Sequence, residues 1–135
     1  MTGQERKNLD IEIGFLEGLV QRDPEYVDAL QLLGDDYTRR GHFEEGLRMD
    51  ERLVRLRPED PLVLYNLACS YSLTGHCDQA AETLKQALER GYEDLKWLAK
   101  DPDLDNLRKH PRWQEVKARL QHLKPNKDCG SSSTL

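Results

Sequence analysis

The residues of this 135-residue chain able to do chemistry are four histidines, three cysteines and a scatter of carboxylates, and their spacing decides what chemistry is open to them. His42 and His76 lie 34 residues apart, each directly after a glycine. They therefore occupy equivalent turns of a recurring unit, about one unit's width apart, and read as surface turn residues rather than partners in acid–base work. His110 precedes Pro111 near a helix end, where positive charge is favourable, and His122 falls within the last helix. The neighbours Asp35 and Asp36 read as a solvated helix face rather than an acid–base dyad. Cys69, Cys77 and Cys129 are odd in number and lack the C-x2-C spacing of a zinc site or redox motif, so free thiols are expected. The glycines are dispersed among helix ends and helix contacts and form no phosphate loop. No nucleophile with its base, no acid with its partner and no metal-ligand cluster emerges. The expectation is a chain that is not an enzyme and holds no cofactor or metal.

Binding is what remains, and composition narrows the partners. A formal charge of −5 without any Lys/Arg block argues against nucleic acid, whose phosphates need a basic face. No stretch approaches the roughly 18 to 20 apolar residues of a membrane span, and MTGQERKNLD lacks the apolar core of a signal peptide. The expected location is the cytoplasm, which also suits reduced cysteines. With 33% charged and 37% hydrophobic residues, the length fits a single helical domain that needs neither disulfide nor metal.

The elements that must carry a binding surface are helices. Over 5–22, Leu9, Ile13, Leu16, Leu19 and Val20 recur at the intervals of one apolar face. Gly14 and Gly18 each weaken this helix by about 1 kcal/mol, so it depends on packing against the next one and serves as an N-terminal cap. Asp23-Pro24 ends it and opens a helix that runs to Arg40, with Gly41 placed for a left-handed C-cap. The core face of that helix is Leu30, Leu33, Gly34 and Tyr37, Gly34 being small where a partner helix approaches. A further helix over 43–56 buries Phe43, Leu47, Leu53, Val54 and Leu56. Asp60 and Pro61 start the next, which ends at Thr74-Gly75 and is apolar nearly all round, the mark of a helix covered on most sides. Over 78–90, Ala80, Ala81, Leu84, Ala87 and Leu88 share a face. Beyond Tyr92 a short helix around Trp97, another from Asp101-Pro102 through Leu107, and a third from Pro111 through Leu123 are expected. Trp113, Val116 and Leu120 point inward in the last, and the two tryptophans cover the open face of the array.

Shifting the sequence by 34 residues lays Leu30 on Leu64, Leu33 on Leu67, Tyr37 on Tyr71, Gly41 on Gly75 and His42 on His76. A fixed period of this length signals stacked helix pairs. The spacing L-x2-L-[GA]-x2-Y, then a small residue, then Pro58 closing the first copy, resembles the tetratricopeptide repeat; DPDLDNLRKHPRW resembles the ending that follows such repeats in many bacterial proteins. The resemblance implies an all-α fold, a right-handed superhelical stack of antiparallel helix pairs with about seven helices. One domain would span 1–123: an N-terminal half-repeat over 5–22, full repeats over 24–58 and 59–92, and a degenerate repeat with cap over 93–123. The polar, aperiodic stretch 124–135 is expected as a disordered tail. Three positions depart from the family: Gly46 replaces the usual Ala, Asp50 a large apolar residue and Tyr92 a closing Pro. The second helix of the first repeat should then pack less tightly or shift to use Met49.

What the resemblance implies for function is a non-catalytic protein–protein interaction scaffold. It would hold a peptide segment or a partner helix in the concave face lined by the first helix of each pair. The family's groove positions fall on Asp28, Gln31, Asp35, Thr38 and Arg39 in the first repeat and on Leu62, Tyr65, Cys69, Ser72 and Leu73 in the second. One end is thus polar with mixed charge and the other apolar. Tyr65 is the strongest single contact, provided the C-terminal helices leave it uncovered. Family members that grip the free carboxylate of a chaperone tail use Lys and Asn; here Gln31 and Asp35 stand in those places and only Asn66 fits, so that ligand is not expected. The alternative is self-association, a weak homo-oligomer formed through the apolar helix of the second repeat and the C-terminal helices.

Overall fold

Thr2 opens the first helix with a reciprocal cap: its hydroxyl accepts the Glu5 amide and the Glu5 carboxylate accepts the Thr2 amide. The computed structural model describes residues 1–133, with side chains through residue 123. Among the described residues there are eight α-helices and no strand. They are α1 (Gly3–Arg22), α2 (Val27–Arg40), α3 (Phe43–Leu56), α4 (Pro61–Leu73), α5 (Cys77–Glu89), α6 (Leu95–Lys100), α7 (Asp105–Arg108) and α8 (Trp113–Ser133), with a 3-10 turn, Pro102–Leu104, between α6 and α7. From α1 to α5 each helix packs on the next, and the short joints reverse its direction. The result is an all-α stack of antiparallel pairs of the tetratricopeptide type.

Helix ends follow the local chemistry, with three corrections. Asp60 caps α4 as expected, accepting the Leu62 and Val63 amides at 2.9 and 3.3 Å with Pro61 in the first helical position. Asp23 does not cap α2: its carbonyl accepts the Tyr26 amide at 3.1 Å and its side chain the Glu25 amide, so Asp23-Pro24 makes a turn and α2 starts only at Val27. The helix expected from Asp101-Pro102 through Leu107 is shorter than expected, because Asp101 is extended and caps a 3-10 turn at Pro102, and only Asp105–Arg108 is α-helical. Finally, α8 continues past Leu123 to Ser133, through the start of the stretch expected as a tail. A proline fixes φ near a helical value, so Pro125 removes one hydrogen bond without stopping the backbone. Side chains from 124 onward, Cys129 included, and residues 134–135 lie outside the described residues.

Two apolar clusters hold the stack. In the first, Ile13, Leu16 and Val20 of α1 meet Leu30, Leu33 and Tyr37 of α2, with Leu53 and Val63 closing it. Met49 packs against this cluster, while Phe43, expected inside, is 37% exposed. The α2–α3 crossing is tight: a Cβ on Gly46 would stand 2.8 Å from the Thr38 hydroxyl and 3.4 Å from the Gly34 carbonyl. In the second cluster, Leu64 and Ala68 of α4 meet Ala80, Ala81, Leu84 and Ala87 of α5, and Leu98, Leu104, Leu107 and Val116 seal the far side. The period is visible in contacts as well. Tyr37 donates to Glu17, and one period on Tyr71 donates to Glu51 at 3.4 Å. The ring of His42 lies 6.2 Å from that of Tyr37 and the ring of His76 lies 6.2 Å from that of Tyr71, so both histidines pack as turn residues. On the outside, α8 is tied to α5 by Arg112 with Glu82, by Lys85 with Glu115 at 2.7 Å and by Arg119 with Glu89 at 2.7 Å. Arg112 and Lys85 hold the Glu115 carboxyl down at about 2.

Candidate functional site

Tyr65 projects from the middle of α4 onto the segment after α6. Its hydroxyl donates to Asp101 Oδ2 at 2.6 Å, and its ring stacks on Tyr92 with centroids 4.0 Å apart and planes within 1°. The Cys69 thiol, one turn on, reaches the same oxygen at 3.7 Å, and Asp101 Oδ1 accepts the Asp103 amide at 3.0 Å. Burial pushes the Tyr65 hydroxyl up, and burial with the Asp101 and Asp103 charges pushes the Cys69 thiol well up, so neither is a ready nucleophile. Cys69, Asp101 and Asp103 bring three ligand-type atoms within 4.8 Å of one another. Sequence spacing hides this grouping, because 32 residues separate Cys69 from Asp101. Both Asp101 oxygens are already engaged as acceptors, so the grouping acts as a hydrogen-bonded hub that pins the 3-10 turn to α4. Ser72 adds to it, its hydroxyl accepting the Leu107 amide and its carbonyl the Asn106 side chain.

Beside this hub, a cleft of about 340 Å³ lies between α2, α4 and the Trp97–Asp103 stretch. Its charged lining is five aspartates, Asp35, Asp36, Asp50, Asp101 and Asp103, against one cation, Arg39. Asp36 is fully buried, and no amide, hydroxyl or cation donates to its carboxylate oxygens; the Glu12 carboxyl of α1 is the neighbour within hydrogen-bond reach. Burial, then Glu12 of α1, then Asp35 raise its carboxyl to about 7, with Arg39 acting the other way. Asp50 is raised to about 7 chiefly by burial; the Ser70 hydroxyl, which donates to it, opposes the rise, and Asp35 and Glu51 add to it. Asp35 is exposed by surface area, yet the protein packed around its carboxyl desolvates it enough to raise it against the pull of Arg39; burial with Asp101 and Asp105 raises Asp103. Apolar side chains stand at the edge: Leu32 is 45% exposed and Trp97 42% exposed. A larger depression of about 510 Å³ by the Gly41 and Thr74 turns has no buried residue in its lining.

Of the residues expected on the groove, Asp35, Thr38, Arg39, Tyr65, Cys69 and Leu73 line the cleft together, whereas Ser72 is buried outside its wall. Asp28, Gln31 and Leu62 are not in its wall; Asp28 and Leu62 are exposed and Gln31 is half-buried. Tyr65 and Cys69 are 3% and 6% exposed, so Asp101 and Tyr92 use most of what they could offer a ligand. Leu73 is half-buried, and Arg39 and Asp35 are exposed. Sequence reasoning missed Asp36, Leu32, Trp97, Asp101 and Asp103 as parts of one site. Asp50 had signalled itself as a polar residue in an apolar position; Asp36, expected with Asp35 on a solvated helix face, is instead fully buried, and the repeat gave no sign of it because its place 34 residues on is another polar residue, Ser70.

The chain resembles short stretches of longer proteins. It is 34% identical over 96 residues to a chloroplastic protein of Arabidopsis thaliana, a match that covers 69% of this chain and 27% of that protein. It is 31% identical over 115 residues to the peroxisomal targeting signal receptor of Komagataella phaffii, covering 82% of this chain and 20% of the receptor. The human PEX5-related protein is 29% identical over 93 residues, 69% of this chain and 15% of that protein. No family model matches the sequence. These relatives are eukaryotic and lend no support to the bacterial likeness of the C-terminal ending. Among the described residues no helix is long and apolar enough to cross a membrane. The chain spans about a quarter or less of the curated relatives named here, and within that span its stack of helix pairs is similar to segments of proteins that include a receptor for a targeting signal.

Proposed function

We propose that this chain is a tetratricopeptide-repeat adaptor, without catalytic activity, that holds a segment of a partner protein in the cleft between α2, α4 and Trp97. The cleft itself carries the reading. The first helices of two successive pairs face it, and Leu32 and Trp97 stand part-exposed beside the buried carboxylate of Asp36. Exposed aromatic and aliphatic area next to directional polar groups is the make-up of a contact surface. The similarity to a protein named as a receptor supports a receiving role, without carrying over what is received. The reading assigns no nucleic-acid or membrane partner, and the thiols of Cys69 and Cys77 suit a reducing cytoplasm.

Self-association draws less support from the geometry. The apolar side of α4 is already covered within the chain by Leu98, Leu104 and Leu107, which leaves little of the proposed dimer face free. Light scattering across a concentration series is expected to give a monomer throughout. To test the adaptor reading, wild type, a Leu32→Glu/Trp97→Glu variant and an outer-face Arg55→Glu variant are each immobilised and exposed to lysate of the source cell. At least one protein should be retained by wild type and Arg55→Glu and lost from the double variant, whose helicity by circular dichroism is unchanged. Equal retention on all three, or retention on none, would sink the reading.

A further inference from the structure

We infer that the cleft selects a positively charged side chain, a lysine or arginine of the bound segment, with Asp36 and Asp50 as its floor and Asp35 at its edge. This rests on the reading that the cleft holds a protein segment, and adds the chemistry of what is held. The observation that carries it is Asp36. Its residue is 0% exposed, it lines the cleft, and no amide, hydroxyl or cation donates to either carboxylate oxygen; the group within hydrogen-bond reach is a second acid, Glu12. The nearest cation, Arg39 Nη1, is 3.9 Å from Oδ1, beyond hydrogen-bond reach, and the Arg39 side chain is 64% exposed. From α1 the facing group is Glu12, another acid, which can share a proton but brings no positive charge. A buried acid pair without a cation is costly to any fold, and packing does not require Asp36, because the equivalent position 34 residues later is Ser70. A cation entering the cleft would satisfy it.

The walls suit the rest of such a side chain. Leu32, Leu73 and Trp97 can take the methylene stem of lysine or arginine, and the Trp97 ring can also face the charge itself. An acidic segment or a free terminal carboxylate would meet the lining aspartates and be repelled. Because burial, Glu12 and Asp35 hold Asp36 partly protonated near neutral pH, with Asp50 in a similar state, a cation should displace protons into the buffer as it binds.

The test uses the full chain and a pool of short peptides with randomised flanks whose central residue is Lys, Arg, Ala or Glu. The pool is captured at neutral pH and physiological salt, and the bound fraction is sequenced. Lys and Arg peptides should be enriched over Ala by about tenfold or more, and Glu peptides depleted. Asp36→Asn and Asp36→Ser should each abolish the enrichment; the second copies the residue of the next repeat, so that a folding failure of one variant does not decide the matter. Binding of all classes without preference would overturn the cation inference and leave the adaptor reading standing. Capture of no peptide would overturn both. Enrichment that survives in both variants and fades with added salt would mark diffuse attraction to an acidic protein, and would overturn Asp36 as the floor of a site.

Discussion

The pairs α2–α3 and α4–α5 follow one plan of 34 residues, yet matching positions have opposite characters. At the places of Leu84 and, one period after Ser70, Leu104, both fully buried in one apolar cluster, the first pair has Asp50 accepting from Ser70. Where the second has Ala80 at the helix crossing, the first has Gly46; where the second has Cys69 and Leu73, the first has Asp35 and Arg39. The difference follows what each pair faces. The second is sealed by the 3-10 turn, α7 and α8, so its side chains meet apolar neighbours. Both pairs border the cleft, but the first brings the carboxylates Asp35, Asp36 and Asp50 to it, whereas the second brings Tyr65, Cys69 and Leu73. Repeat geometry sets where a side chain points, and the next layer sets whether it must be apolar.

The sealed pair is the stability anchor on this account, and Leu104→Ala should break it most. Removing a fully buried leucine costs about 2–5 kcal/mol, read as a lower urea midpoint. The cleft pair can be converted toward its sibling with Asp50→Leu/Ser70→Ala. Replacing both members of a buried polar pair is neutral to stabilising, so at pH 8 the variant should match or exceed wild type by about 1 kcal/mol. The same variant should change the pH dependence. Asp36 and Asp50 have folded values raised to about 7, so their contribution is present below the ordinary range near 3.8 and is lost as pH rises through about 7. Wild type should therefore melt at lower temperature at pH 8 than at pH 5.5, and the Asp50 variant should show a shallower fall; an unchanged slope would mean that Asp50 ionises freely.

Smaller effects refine the edges of the contrast. A Cβ at Gly14 or Gly18 meets nothing within 4 Å, so Gly14→Ala and Gly18→Ala should each stabilise α1 by about 0.5–1 kcal/mol in thermal melts. Arg112→Ala removes the surface ties from the start of α8 to Asp78 and Glu82 of α5, together with its local pair to Glu115. It should give the smallest drop in melting temperature, one that disappears at about 1 M salt.

Much of the stack was legible because its signals are local or periodic. Leu30, Leu33 and Tyr37 repeat as Leu64, Leu67 and Tyr71, Asp60-Pro61 marks a helix start, and the all-round apolar α4 announces a covered helix. The cleft was legible only in part, because its groups meet across the chain. Tyr65 lies 36 residues from the Asp101 that occupies it, and no pattern in either segment tells that Tyr92 will cover its ring. Asp23-Pro24 shows a local limit: Asp-Pro can cap a helix or close a turn, and tertiary packing chose the turn.

The placement of the two tryptophans has an optical consequence. Trp97 stands at the cleft rim, 42% exposed, whereas Trp113 is half-buried against the sealed core with the Arg108 guanidinium 5.7 Å from its ring centre. An indole in water emits at longer wavelength than one in an apolar setting, so the two contribute to different sides of a single emission band. Occupation of the cleft should move the red side toward the blue, and loosening of the C-terminal helices should deplete the blue side as Trp113 meets water. The protein thus carries two built-in reporters, one for its mouth and one for its lid.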